Sequence, residues 1–521
     1  MRGLIENRFG LLALVLVAVA ALYGVAYVSR PAPVAHAELK PVRAAVESVT
    51  TVCPAPSGAK VSVVTPPGAT GPGTAALTPL TPDADKNDSK NAGKGGDKSD
   101  GKGDGKGGDK SDGKQGEAGS ASPAPLDTVS GPGLLWQRRL PVGGGPLTVA
   151  ATGSMAPGLE TAQTTREESG AQRGLAGVRC VEPGADAWFV GPGPAAAEVA
   201  LYVANADRAP ADVSIMIYSG EGPVLSERGN SLILKPGESR VVNLREMAPS
   251  PLVMALEVST GTGRVAAAVR AAFGKGRGVD WLPISTPPAT RVVVPGIPGT
   301  AGLRELYVAA PGEQDTVVQV KAVLKDGSYA LKNKESVEVP AGSTASLDLS
   351  TGIGGQPAAL VLTADVPIVA GLKVTGTGTS QDVAFTAGAP SIDLGSVVAD
   401  GRITKKQVSR LVLSAPFEPA TVQVRLLPMR GTAPQPVEVR LPAGRTRELK
   451  LTPPPGGEAG FGVVVQPEPG SGPVYGGRAL DESASDGQMI TMQPLEMART
   501  WALVPPTTDA PSAVLPQWRS S

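Results

Sequence analysis

The sequence predicts an all-β protein: an N-terminal transmembrane helix, a small disulfide-closed β domain with a disordered insert, then three tandem immunoglobulin-like antiparallel β-sandwiches. Three observations carry this. A hydrophobic pattern of period two recurs at a spacing close to 105 residues between about Trp188 and Pro505. An uncharged stretch of 21 residues runs from Phe9 to Ser29. The chain holds two cysteines, Cys53 and Cys180.

The repeat is plainest in three windows, Leu234 to Leu244, Val339 to Leu349 and Leu441 to Leu451. Each has Gly at the fourth place and Ser or Thr at the sixth: Gly237 and Ser239, Gly342 and Thr344, Gly444 and Thr446. Apolar residues alternate on both sides, as in Val337 and Val339, then Leu347 and Leu349. Such alternation predicts half-buried strands, and a Gly between two of them predicts the tight turn of a β-hairpin. Further strands follow in the same order: Leu201 to Val203, Leu306 to Val308 and Leu411 to Leu413; then Val213, Val318 and Val422 with their alternating neighbours. After each window come a nearly all-apolar strand (Leu256 to Val258, Leu360 to Leu362, Val463 to Val465) and one more near Val265, Ile368 and Val474. Six or seven short strands in roughly 100 residues predict a sandwich, at 188–290, 291–395 and 396–505. Trp501 to Val504 repeats the phrase of Val292 to Pro295 after the third unit is complete, a spare strand for the N-terminal domain.

The segment Phe9 to Ser29 is long enough to cross a bilayer as a helix, and Arg2 and Arg8 before it place the following chain outside the cytoplasm. The competing expectation is a signal peptide cut at Ala35-His36-Ala37, so 1–37 is anchor or signal segment. An even number of cysteines in an oxidising compartment predicts one disulfide, Cys53 to Cys180. Between them, at 65–125, large apolar residues nearly vanish and GGDKSDGK occurs twice, at Gly95 to Lys102 and Gly107 to Lys114. Such a tract buries too little to offset its ordering entropy and is expected to be a disordered loop inserted into one β-rich domain, 38–187. The final residues, 506–521, are expected to be a frayed tail.

Chemistry is narrowed by composition. His36 is the only histidine, which removes Ser-His-Asp, Cys-His and histidine-zinc arrangements. Lys and Arg total 48 against 48 Asp and Glu, so no net charge recruits nucleic acid. Asp97, Asp100 and Asp104 lack calcium-loop spacing, and the glycines at Gly143 to Gly145 and Gly274 to Gly278 fit turns better than phosphate loops. Glu167 and Glu168 are adjacent, so on a strand they point to opposite faces. Trp188, Trp281 and Trp501 lie in short apolar runs and fit packed core or domain contacts better than sugar platforms; Trp136 is ambiguous and Trp518 is in the tail. No catalytic, cofactor-binding or metal-ligating residue is assigned, and no cofactor is expected.

Cys180-Val181-Glu182-Pro183 followed by Trp188-Phe189-Val190-Gly191, with Cys53-Pro54 upstream and an apolar anchor, resembles a family of secreted or membrane-anchored actinobacterial proteins catalogued as a domain of unknown function. The resemblance implies location and the disulfide but no catalytic residue. The expected role is a non-enzymatic cell-envelope scaffold or interaction protein, held in the membrane by its N-terminal helix and facing an envelope protein or polymer. The rival is a wall-glycan binding protein or a carboxylate-dependent glycoside hydrolase. The expected location is the cell membrane with the bulk outside, or secretion after cleavage near Ala37.

Overall fold

The computed structural model describes residues 8–28, 42–55, 58–81, 123–141, 144–299 and 302–504. Nearly all regular structure is β, with one α-helix at Arg8–Val28. Burial follows the alternation in the sequence: along Thr316–Val323, Val318 and Val320 are buried while Gln319 and Lys321 face water.

Eight strands recur in one order four times. In copies one to four, strand 1 is Ser48–Cys53, Asp186–Pro192, Ala289–Ile297 and Ser396–Gly401. Strand 2 is Lys60–Val64, Glu198–Ala204, Arg304–Ala310 and Gln407–Ala415. Strand 3 is Gly73–Pro79, Ala211–Ser219, Thr316–Val323 and Ala420–Leu427. Strand 4 is Asp127–Val129, Leu232–Leu234, Ser336–Val339 and Val437–Leu441, and strand 5 is Trp136–Arg139, Ser239–Asn243, Ser343–Asp348 and Arg445–Lys450. Strands 6 and 7 are Leu147–Gly153 and Glu160–Glu167 in copy one, Val253–Thr262 and Ala266–Ala272 in copy two, and Phe461–Pro467 and Tyr475–Ala484 in copy four. In copy three the 18-residue strand Ala358–Thr375 serves as both. Strand 8 is Gly174–Arg179, Val279–Leu282, Val383–Ala387 and Gly487–Pro494. Copies one, two and four each form one antiparallel sheet in the order 1-6-3-4 and another in the order 5-2-7-8; in copy three the same two orders are joined into one sheet by the shared strand Ala358–Thr375.

The region 38–187 is therefore not a different small domain but a fourth copy of the repeat. Its insert also starts later than expected at 65: Gly73–Pro79 is an interior strand, paired on both sides, with Ala75 and Leu77 buried. Two apolar positions at period two suffice to seat it. Residues 82–122 lie outside the described residues.

The repeated window is not a hairpin. Leu232–Leu234 pairs with strand 3 in the first sheet, whereas Ser239–Asn243 pairs with strand 2 in the second. Copies three and four do the same. Each window is an arch carrying the chain from one sheet to the other. Gly237, Gly342 and Gly444 take φ of 72°, 64° and 67°, a left-handed turn that glycine adopts without a Cβ penalty. Their N–H groups donate to the carbonyls of Asn205, Ala310 and Ala415 at the end of strand 2.

Each pair of sheets encloses its own apolar cluster, around Val61 and Leu77, Leu201 and Leu256, Leu306 and Leu360, and Leu411 and Val463. The copies also pack in a closed circuit, strand 1 of each upon strand 7 of the next. Val52 meets Ala266, Val190 meets Val369, Val294 shares a cluster with Ala479, and Val397 of copy four shares one with Ala162 of copy one. Cys53, ending strand 1, is bonded to Cys180 just past strand 8, 127 residues on.

The helix and a two-stranded sheet, Val42–Ala45 with Trp501–Val504, form a unit of their own. In that sheet the Arg43 guanidinium lies 4.2 Å from the centre of the Trp501 ring. Among the described residues no helix is long and apolar enough to cross a membrane.

Candidate functional site where the four copies meet

Strand 8 is the outer strand of the second sheet in every copy, and the four strands 8 converge. That of copy one packs against those of copies two and four, and that of copy three does the same. Outer strands leave main-chain N–H groups unpaired along one edge, and once buried these require acceptors. Aspartates supply them. Asp382 of copy three accepts from Leu175 N (2.9 Å) and Ile490 N (3.0 Å) through Oδ2, and from Val279 N (3.1 Å) through Oδ1. One carboxylate thus bonds the main chain of the other three copies. Asp280 Oδ1 accepts from Gly177 N (2.9 Å) and from the Thr491 hydroxyl (3.0 Å). Asp400 accepts from the Thr164 hydroxyl (2.9 Å) and from the Arg478 guanidinium. Glycine at 174 makes room for the approach: a Cβ there would stand 2.6 Å from Asp382 Oδ1. Burial pushes the Asp382 carboxyl up to about 7 although its N–H donors pull the other way, and it holds Asp280 well above the usual range. These three aspartates are fully enclosed, so they join the copies and meet no solute.

Beside this centre, where the chain crosses between copies, lies a cavity of about 450 Å³. Its wall combines Val181–Gly184, Pro283–Pro287, Pro390 and the segment from Gln493 to Arg499 with parts of copies one and two. Trp281, its ring 5.0 Å from that of Tyr202, forms part of the apolar wall. Four carboxylates and two guanidiniums face the space. Glu160 pairs with Arg179, Glu182 pairs with Arg499 at 2.8 Å, and Asp186 accepts from the Trp188 indole at 3.2 Å. Glu496 has no hydrogen bond or ion pair among the described residues. Burial lifts Glu160 to about 7 against the pull of Arg179, and lifts Glu496 against the pull of Arg179 and Arg499.

A smaller cavity of about 240 Å³ lies where copies one and two meet, lined by Pro54, Pro146, Tyr202 and Ser239. Its position is explained by the Ser/Thr of the repeated window. The Thr344 hydroxyl donates to Tyr218 O (2.7 Å) and accepts from Ala255 N (3.0 Å), tying copy three to copy two. The Thr446 hydroxyl donates to Val323 O (2.7 Å), tying copy four to copy three. Ser239, their counterpart, is exposed at the copy one contact, and that seam stays open.

Of the residues singled out in the sequence, Cys53 and Cys180 are joined. Glu168 pairs with Arg166 at the protein surface. Trp188 is buried against Tyr218, with ring centres 5.7 Å apart, and Trp281 is buried too. Gly274 to Gly278 is the turn between strands 7 and 8 of copy two. His36, Asp97, Asp100, Asp104 and Trp518 lie outside the described residues. Asp280, Asp382, Asp400, Glu160 and Glu496 were not singled out. Their signal was a lone carboxylate inside or beside an apolar run, as in VDWL and VVADG. Among the described residues no group of three or more His, Cys, Asp or Glu is placed to hold a metal ion.

The fold and site define a class: a repeat-built, disulfide-bonded β protein whose units share one carboxylate-bonded centre. The chain belongs to the Family of unknown function (DUF5719), whose model matches residues 138–452, from strand 5 of copy one to just past strand 5 of copy four. The motif Cys180 to Gly191 that suggested such a family falls inside the match. No curated protein and no solved structure matches the chain.

Proposed function

We propose that this protein is a non-enzymatic envelope module: four immunoglobulin-like β-sandwiches outside the cell, tethered by the helix Arg8–Val28 and presenting a binding cavity to an envelope protein or polymer. The observation that carries the binding role is the cavity of about 450 Å³ at the crossovers, of a size suited to small ligands and walled by several copies at once. The disulfide supports an oxidising compartment. The apolar sequence of the helix, with Arg2 before it and Arg8 as its first residue, supports a tether whose far side is extracytoplasmic.

A second reading, a wall-glycan binder or a carboxylate-dependent glycoside hydrolase, is favoured by the presence of Glu160, Glu496 and Trp281 in one cavity. Incubating the purified protein with isolated cell-wall polymer separates the two. The binding module is retained on the polymer and leaves it intact. Release of soluble fragments, lost in Glu160→Gln, would replace the first reading by the second. Protease shaving of intact cells tests the location: digestion of the β copies is expected, and full protection would refute an outward-facing body.

A further inference from the structure

We infer that the crossover cavity binds an ammonium group carried on an apolar arm beside a carbonyl, as in a short peptide with a lysine-type side chain, and that Glu496 is the anion that receives it. The inference rests on the reading of this protein as a binding module and names its ligand class. It starts from the charges that line the space. Arg179 is committed to Glu160, and Arg499 to Glu182. Asp186 holds the Trp188 indole N–H. Glu496 alone lines the cavity with neither a hydrogen bond nor an ion pair, although both arginines lie close enough to pull its proton affinity down. The lining carries four carboxylates against two guanidiniums, and burial holds Glu160 and Glu496 toward their neutral forms, so an entering ammonium group would offset that desolvation and draw Glu496 to its ionised form, whereas an entering anion would add to it.

The remaining wall fixes the rest of the ligand. Leu159, Trp281, Leu282 and Ile284, with prolines at 283, 287 and 390, give an apolar sleeve suited to a methylene chain. Gln493, in the same wall, keeps a buried Nε2 without a hydrogen-bond partner. A turn of that amide offers the donor to a ligand carbonyl, which satisfies a group that is otherwise costly to leave unpaired. Anion, sleeve and donor together describe a cationic side chain on an amide backbone. A bare sugar supplies neither the cation nor the apolar arm.

Calorimetric titration of the full-length protein in detergent tests this with two dipeptides, alanyl-lysine and alanyl-norleucine, each acetylated at its N-terminus and amidated at its C-terminus, which share the arm and differ only in the ammonium group. The expected result is saturable binding of alanyl-lysine, with alanyl-norleucine weaker by at least about tenfold, as for loss of one charge-assisted contact. Glu496→Gln is expected to weaken alanyl-lysine by a similar factor while leaving alanyl-norleucine unchanged. Equal binding of the two dipeptides by the unaltered protein, or no binding of alanyl-lysine, overturns the inference without any variant. Release of wall fragments in the polymer experiment would instead defeat the non-enzymatic reading and leave this comparison standing.

Discussion

Asp382 and Leu175 stand 207 residues apart in the chain and are joined by a hydrogen bond of 2.9 Å between carboxylate and main-chain N–H. The same side chain reaches Val279 and Ile490, so each copy's outer strand meets the others through one residue. Apolar packing alone would leave these buried N–H groups without acceptors.

Replacing Asp382 by Leu strands three buried donors at once. At about 1–3 kcal/mol for each unsatisfied group, the loss should be about 3–9 kcal/mol, a large share of the stability of a domain. Urea unfolding of the variant should show it; a cost under about 1 kcal/mol would mean that the bonds are not the tie described.

Stability should also depend on pH through this residue. Its folded pKa is about 7 against an ordinary 3.8, so the folded form keeps a proton that the unfolded chain has lost. The carboxyl therefore makes the protein less stable as pH rises from about 4 to about 7, with no further change above. Glu160, also raised to about 7, acts in the same direction. Thermal melts across this window should show a falling Tm, with a shallower fall in Asp382→Asn. An unchanged slope in that variant would exclude Asp382 as the source.

Thr344→Val removes a hydroxyl that donates to Tyr218 O and accepts from Ala255 N, both in the preceding copy. The expected cost is about 1–3 kcal/mol. Ser239→Val, at the exposed counterpart, should stay within about 0.5 kcal/mol. Equal costs at the two positions would contradict the open seam.

Removing the disulfide by Cys53→Ala with Cys180→Ala releases a closed loop of 127 residues. Closure of a loop that long contributes up to roughly 5 kcal/mol in the chain-entropy model, so a loss of about 2–5 kcal/mol is expected on chemical unfolding.

Much of the strand content was legible because alternation reports burial directly, as in Val318, Gln319, Val320 and Lys321. Alternation does not report which neighbour a strand pairs with, which is why the arches at Gly237, Gly342 and Gly444 read as hairpins. The fourth copy was hidden for two reasons. Its strands 3 and 4, ending at Pro79 and starting at Asp127, are pushed apart by the insert. Its window, two places past Gly133, carries Leu135, whose main-chain N–H donates to Pro428 O, where the other copies have Ser or Thr. The central aspartates were illegible for a different reason. Asp280 and Asp400 lie in different strands, Asp382 lies just before a third, and the three share no spacing, so only folding brings them together.

The convergence of the four strands 8 fixes the number of units. A row of beads can gain or lose a member by duplication or deletion and still cap its ends, as solenoids do. Here a fifth outer strand would find no place among the contacts the four already share, and a missing one would leave Asp382 short of a donor, so variation in this lineage should fall in loops and leave the tally of modules unchanged.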